Sequence, residues 1–566
     1  MSGPLIDLRL YRLAFIPTVL AVIAIMFSLE GIPGPVEPAT PPATFEGDRA
    51  AAQVRQILEL APERPPGSAG DARIADLVGE RFGEIPAGTV SEQDFAGELD
   101  GEDVTLRNVV LTLLGDSDQT VVVVAPRASP RGPGAASSAA ATGLLIELAS
   151  SLGVADHERT FVLASTGGDG TSGAGVASLI ESLPERDAVE AVVVISQPGA
   201  RERRPPHVVD SSSDSNSGPI QLERTAELAL QSQAQAQPDE PGAFTQLARL
   251  AIPSGLGAQA PLIAEGVDAV AISSAGERPL AEPDDGPDDL SAETLDAFGR
   301  SVQSTVGALD TAPAEPVHGP GTYLRLADNL LAGWTLALLA LTLIVPALVV
   351  SIDAGARALR GGLDMRAALA WAAARSLPLI GALALLYALA LVGAIPTPDF
   401  PFDPGLYELG TGAAITIAAI VAVALASAVL LRSRGVTGSR APGAAAPALG
   451  VIGSVACLVI WLANPYLALL VAPLAHVWLL ATLAPGAART ALVVAGAALA
   501  CLPAIAALAA VAGALDLGGD APWTFAIMVG DGQLGLALTA PACFLGGALL
   551  GAVAIAIARR PAPAQR

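Results

Sequence analysis

The 566-residue chain contains no lysine; all 31 of its basic residues are arginine. Histidine occurs four times and cysteine three times. The cysteines, Cys457, Cys501 and Cys543, all fall in long apolar runs of the second half. Residues 44–322 therefore can form no disulfide, and Cys-x-x-Cys metal spacing is absent from the whole chain. No phosphate-binding glycine loop occurs either, and aromatic residues make up only 4% of the total. The substitution of arginine for lysine, with the excess of alanine, glycine and proline, reads as codon composition rather than function.

What the chain does have is apolar length. It is 52% hydrophobic, with a mean hydropathy of +0.54. A helix that crosses a bilayer needs about 20 apolar residues. Runs of that kind fall at 13–29, 326–352, 376–395, 411–431, 446–463, 466–485, 490–514 and 533–558. Arginines flank alternate ends: Arg9 and Arg12; Arg357, Arg360 and Arg366; Arg432, Arg434 and Arg440; Arg489; Arg559 and Arg560. The intervening loops carry Asp399, Asp403, Glu408, Asp516 and Asp520 instead. With eight crossings every basic loop falls on one side, which the positive-inside rule makes cytoplasmic. The expected layout is a cytoplasmic tail (1–12), an anchor (13–29), a linker (30–45) and an external domain (46–311). A second linker (312–325), a seven-helix membrane domain (326–558) and a cytoplasmic tail (559–566) follow. The first run is long for a signal peptide and no small-x-small cleavage site follows it, so it reads as an uncleaved anchor.

Charge is concentrated outside the expected membrane. Residues 44–322 hold 43 acids and 17 arginines, a net charge of −26. That balance argues against nucleic acid as a partner and leaves the bilayer, a peptide or another protein. Within this segment helical and strand patterns alternate between Pro-rich flanks. Helices are expected at 47–60, 71–83, 138–152, 173–183, 221–234, 241–251 and 291–309. Strands are expected at 103–115, 120–126, 159–166, 188–196 and 267–273. TVVVVAP (120–126) is apolar throughout, as a central strand covered on both faces must be. The fold class is α/β, a mostly parallel sheet flanked by helices, plus an all-α polytopic membrane domain.

The ordered motifs RPPGSAGDARIADLVGERF (64–82), RNVVLTLLGD (107–116), the segment 119–149, STGGDGTSGAGVASLI (165–180) and GLGAQAPLIAEGVDAVAIS (255–273) resemble metallopeptidase family twenty-eight, the co-catalytic zinc aminopeptidases. The resemblance covers the whole external domain. The layout of one anchor, a peptidase-like domain and seven spans is similar to the membrane-bound branch of that family. That branch includes the endoplasmic-reticulum metallopeptidases, and the attachment subunit of the glycosylphosphatidylinositol transamidase has a similar layout. The resemblance implies two zinc ions held by His and carboxylates, with a Glu as general base. At the implied positions this sequence departs from the pattern. The His-x-Asp pair falls on Pro126 and Ala128, and the bridging Asp on Ala136 or Ser137. The Glu pair falls near Gly168, Asp169 and Gly170, the next Asp near Ser196 or Gln197, and the last His on Gln259. Proline and alanine offer no ligand, and neutral Ser or Gln oxygens are poor zinc donors.

Three histidines remain in the external segment. His157 reads as a member of a solvated turn, and His318 lies in the linker. His207, three residues before Asp210, would be the nucleus of any shifted metal site. DDGPDD (284–289) lacks calcium-loop spacing and reads as a solvated acidic turn. In the membrane half only His476 sits in the middle of a span; Asp328, Arg375 and Asp531 fall at span edges. An ionisable residue inside a membrane is a candidate for a transport path, though a hydrogen bond to a neighbouring helix is the commoner role. The expected function is a membrane-anchored pseudopeptidase that uses no cofactor and binds a peptide or partner. Alternatives are an active zinc metallo-aminopeptidase with an atypical site and a transporter with an external accessory domain. Ligands of such sheets bind beyond the carboxyl ends of the strands. Pro126, Ala136, Asp169 and Gln259 are therefore expected to converge there without a histidine.

Overall fold

The valine run of residues 121–124 lies in a seven-stranded sheet with helices on both faces. The computed structural model describes residues 6–37, 45–99, 102–168, 173–183, 186–201, 206–237, 241–280, 284–398, 400–437, 441–484 and 488–558. The strands are β1 (Leu29–Gly31), β2 (Gly88–Leu99), β3 (Glu102–Leu113), β4 (Thr120–Pro126), β5 (Thr160–Thr166), β6 (Val189–Ser196), β7 (His207–Val209), β8 (Ala269–Ser273), β9 (Tyr323–Leu326) and β10 (Asn329–Ala332). The large sheet runs β2-β3-β5-β4-β6-β8-β7. Its middle four strands are parallel, while β2, β3 and β7 pair antiparallel at the edges. The sheet is thus mixed, with the expected parallel arrangement confined to its centre.

Alternation along β4 divides the core. Val121, Val123 and Ala125 pack on one face under the helices Gly47–Leu60, Ala69–Gly83, Ser138–Leu152, Ile220–Gln233 and Ala292–Asp310. Val122 and Val124 pack on the other, under Ala174–Ser182 and Gln259–Ala264. This is the period-two consequence of the pleat, and it explains why the strand is apolar at every position. The helix Ser138–Leu152 is itself buried along nearly its whole length, so it too lacks a polar stripe.

Among the described residues, eight helices are long and apolar enough to cross a membrane: Leu8–Phe27, Gly333–Arg360, Met365–Leu391, Thr411–Ser433, Ala445–Ala463, Pro465–Leu483, Arg489–Ala514 and Leu536–Ala558. Their number agrees with the sequence reading. The second starts at Gly333, because residues 323–332 form the β9–β10 hairpin, with β1 paired along its edge. Hydropathy could not mark that boundary, since Leu330, Leu331 and Ala332 are as apolar as the helix they precede. The third starts at Met365 rather than 376 and includes Arg375, which is buried and not at an edge. Its guanidinium stacks 3.2 Å from the centroid of the Trp371 ring. It also donates to the carbonyls of Trp371 and Thr437, and such pairing is what makes a buried cation tolerable.

The two halves share one apolar cluster. Ala248, Leu250, Ala251 and Ile252, on or just beyond the amphipathic helix Ala243–Ala251, pack with Tyr466, Leu470, Ala507, Val511 and Trp523. Asn464 seals the junction: its amide donates to the carbonyls of Leu250 (3.0 Å) and Ala251 (3.2 Å), and its Oδ1 caps the helix at Pro465. Arg278 reaches the carbonyl of Asp516, and Gln533 reaches that of Pro253. With Arg131 paired to Asp403, the loops following the third, fifth and seventh of these helices all meet the α/β domain.

Candidate functional site

β4 ends at Pro126, and the chain then turns through residues 127–137 into the helix Ser138–Leu152. Pro126 and Ala128, two residues apart, line one cleft, while Arg127 between them points the other way, as extended backbone requires. Ser137, Ser196, Gln197 and Gln259 line the same cleft, which has a volume of about 110 Å³. Four separated stretches that the resemblance placed at one site are thus brought together, and no described lining residue is a histidine. Ala136 is buried beside the cleft without lining it. Asp169 and Gly170 lie outside the described residues.

The polar chemistry of the cleft centres on an acid that sequence reasoning misplaced. Asp285, in the stretch read as a solvated turn, is only 5% exposed. Its Oδ1 accepts from the backbone N–H groups of Ala136 (2.8 Å) and Ser137 (3.0 Å), and its Oδ2 accepts from the Ser137 hydroxyl. The first N–H groups of a helix have no partner within the helix, and its N-terminus favours negative charge. Asp285 brings its charge there from 148 residues away, bound to the two N–H groups that immediately precede the helix. Burial raises its carboxyl above the ordinary range, against the pull of these hydrogen bonds and of Arg64. Composition alone suggested solvation, because its three acidic neighbours in the motif, Asp284, Asp288 and Asp289, carry no comparable burial.

Two arginines form the second layer. Arg127 is fully buried, with its Nε 2.8 Å from Asp71 Oδ1, and donates further to the carbonyls of Arg107 and Ser165. Arg64 is also fully buried; it donates to Ala61 O (3.0 Å) and Ser138 Oγ (2.9 Å). Burial pushes Arg64 down to about 10, with Asp285 and Asp71 opposing the shift. Gln197, at the end of β6, holds a left-handed φ of 50°, which costs a non-glycine residue energy. Its side-chain amide donates to the carbonyls of Gly276 and Arg278 and accepts from Leu280 N–H, so it is bound into the 276–280 loop rather than presented to a ligand.

The residues present do not fit a co-catalytic zinc pair. Pro126 and Ala128 have no donor atom, Gln259 offers only a neutral amide oxygen, a poor zinc donor, and the carboxylate of Asp285 is occupied by three donors. Among the described residues no group of three His, Cys, Asp or Glu side chains could hold a metal ion. The mouth is covered from the membrane half. Asp403 lines the cleft and lies 3.0 Å from Arg131 Nη2, while Arg131 Nη1 donates to Gly405 O.

The remaining histidines are placed elsewhere. His157 is not in a solvated turn; it is 9% exposed, with Nδ1 3.1 Å from Asp310 Oδ2 and Nε2 2.9 Å from Leu152 O. His318 pairs with Asp268. His476 is held between the Tyr11 hydroxyl and the carbonyl of Leu343, both at 2.9 Å, and so ties together three helices.

No protein-family model matches this chain, and no curated protein matches it. Solved structures do. A glutaminyl cyclase from an Acidobacteriales bacterium is 18% identical; the match covers 48% of this chain and 97% of that one, with a TM-score of 0.39. A zinc aminopeptidase from Bacillus subtilis is 13% identical, with 49% and 99% covered and a TM-score of 0.39. An aminopeptidase from Aneurinibacillus sp. strain AM-1 is 12% identical, with 49% and 96% covered and a TM-score of 0.40.

Proposed function

We propose that this chain is a membrane-anchored, peptidase-like protein that binds a peptide or partner protein outside the membrane and does not hydrolyse it. One observation carries the reading: where hydrolysis would need metal ligands, the cleft presents Pro126, Ala128, Ser137 and Gln259. Asp285, the carboxylate that the described part of the loop after β8 brings to the cleft, spends its oxygens on the approach to a helix. A water could not be activated at neutral pH without a metal or a free base beside it. The basic loops on one side and the docking of the soluble domain against the opposite loops support cytoplasmic termini and an external domain. The cleft admits little more than a small side chain unless the 400–405 loop moves, which favours a partner contacting the rim over a peptide threaded through the site. No observation favours the transport reading, since His476 is satisfied by two helices. The test is metal content and turnover. The full chain, purified in detergent with zinc in every buffer, is expected to retain less than one equivalent and to release no amino acid from aminoacyl anilides. Two tightly held equivalents, with turnover abolished by chelation, would reverse the conclusion.

A further inference from the structure

A second cavity, of about 440 Å³, shares no lining residue with the cleft at Pro126. It lies where the soluble domain meets the last turn of the helix Arg489–Ala514, with Ala510, Gly513 and Ala514 in its wall. Four carboxylates line it (Asp210, Asp214, Glu223 and Glu277) against two guanidinium groups, Arg249 and Arg325. The two arginines are already committed. Arg249 lies 2.7 Å from Glu277, and Arg325 pairs with Glu223 and with Glu227, the latter at 3.2 Å. Asp214 is satisfied locally by Ser212 and Asn216.

That leaves two acids short of donors. Among the described residues, no side chain donates to the Asp210 carboxylate. Glu223 is 5% exposed, and its Oε2 has no hydrogen-bond partner among them. A buried carboxylate oxygen without a donor costs several kcal/mol in proteins, so a cavity that holds Glu223 Oε2 and the Asp210 carboxylate in one wall is poised for a cation. Burial raises both carboxyls, Glu223 well above the ordinary range. The arrangement does not suit a metal ion, since no group of three ligating side chains is formed among the described residues. An ammonium group suits it better, because it brings three directed N–H donors to two separated acceptors.

We propose that this cavity binds the primary ammonium of a small polar ligand, held between Asp210 and Glu223 at the outer end of a membrane helix. The volume leaves room for a carrier of a few heavy atoms beyond the nitrogen. The alanine and glycine wall places the site at the depth of lipid headgroups, so the amine comes either from an ethanolamine headgroup or from a soluble molecule. The inference is independent of whether the first cleft is catalytic.

The experiment uses the full chain in phosphatidylcholine nanodiscs and follows thermal unfolding during titration with ethanolamine, with ethylene glycol as the neutral isostere. A ligand that binds only the folded state raises the melting temperature as it saturates. Ethanolamine is expected to do so and ethylene glycol is not. Asp210→Asn keeps the shape of the side chain but removes one of the two carboxylates, so its apparent affinity for ethanolamine should fall by about tenfold or more while its unliganded melting curve shows that it still folds. Nanodiscs containing phosphatidylethanolamine distinguish the sources. A higher melting temperature there, lost in Asp210→Asn, identifies the headgroup; a response to free ethanolamine alone identifies a soluble amine. Equal shifts in wild type and Asp210→Asn, or no shift in either arm, would overturn the proposal.

Discussion

Replacing Asp285 by alanine tests the account of the first cleft most directly. The side chain accepts from two backbone N–H groups, at 2.8 and 3.0 Å, and from one hydroxyl. Ser137 can reorient its hydroxyl toward another acceptor, so its loss adds little. The N–H groups of Ala136 and Ser137 cannot turn away; Ala136 is fully buried and Ser137 is half-buried. Each buried donor left unsatisfied costs about 1–3 kcal/mol, and the loss of a negative charge near a helix N-terminus costs about 0.3–1 kcal/mol. Arg64, fully buried, would also lose a nearby negative charge. Together these give a destabilisation of about 3–5 kcal/mol. In a domain of this size 1 kcal/mol corresponds to about 2–4 °C in melting temperature, so a fall of about 10 °C is expected. Asn at the same position keeps one acceptor oxygen but no charge, and should fall between the two. Near-ultraviolet circular dichroism of the full chain during heating reads the transition. If Asp285→Ala melts within about 2 °C of wild type, Asp285 is not holding the helix start and the description of the cleft fails.

Arg127→Met leaves Asp71 buried without its partner and should cost about 3–5 kcal/mol; adding Asp71→Leu should recover part of that loss, measured by the same melting curves. Burial pulls the pKa of His157 down, but the hydrogen bonds to Asp310 and the Leu152 carbonyl, with the charges of Asp310 and Asp156, together hold it above its ordinary 6.5. A folded-state value raised above the unfolded one means that the stabilisation is complete below about pH 6.5 and fades as pH rises through the folded value. His157→Gln should therefore be more damaging at pH 6 than at pH 8.5, and an equal penalty at both would contradict this. Asn464→Ala removes donors to two carbonyls and the cap of the helix at Pro465. A loss of about 2 kcal/mol and faster proteolysis near residue 251 are expected.

Much of the α/β domain was legible because its signals are local. The strand 120–126 and the helices 47–60 and 138–152 have the same limits in sequence and structure, since continuous apolar runs with turn residues at both ends admit few other readings. β2 was missed because SEQDFAGE carries no apolar alternation; as an edge strand packed on one side it has little to bury. β7 is three residues long, too short for any period to register. Pro126, Ala128, Ser137 and Gln259, which the resemblance implied at one site, line one cleft. The roles of Asp285 and Arg64 were not readable: their partners, Ser137 and Ser138, are 148 and 74 residues away, and no periodicity encodes pairings at that range. Arg375 and His157 failed for a related reason. Charge and turn composition suggested water, but the tertiary partners that allow these groups to be buried are invisible in the sequence around them.

The short helix 243–251 has a consequence for how the two halves can change. Its oily stripe is sunk among residues of two spans, Pro465–Leu483 and Arg489–Ala514, so neither half can be exchanged without refitting this one joint. A soluble version cut free at residue 322 would expose that stripe to water and would need it rewritten in polar residues before it stayed monomeric.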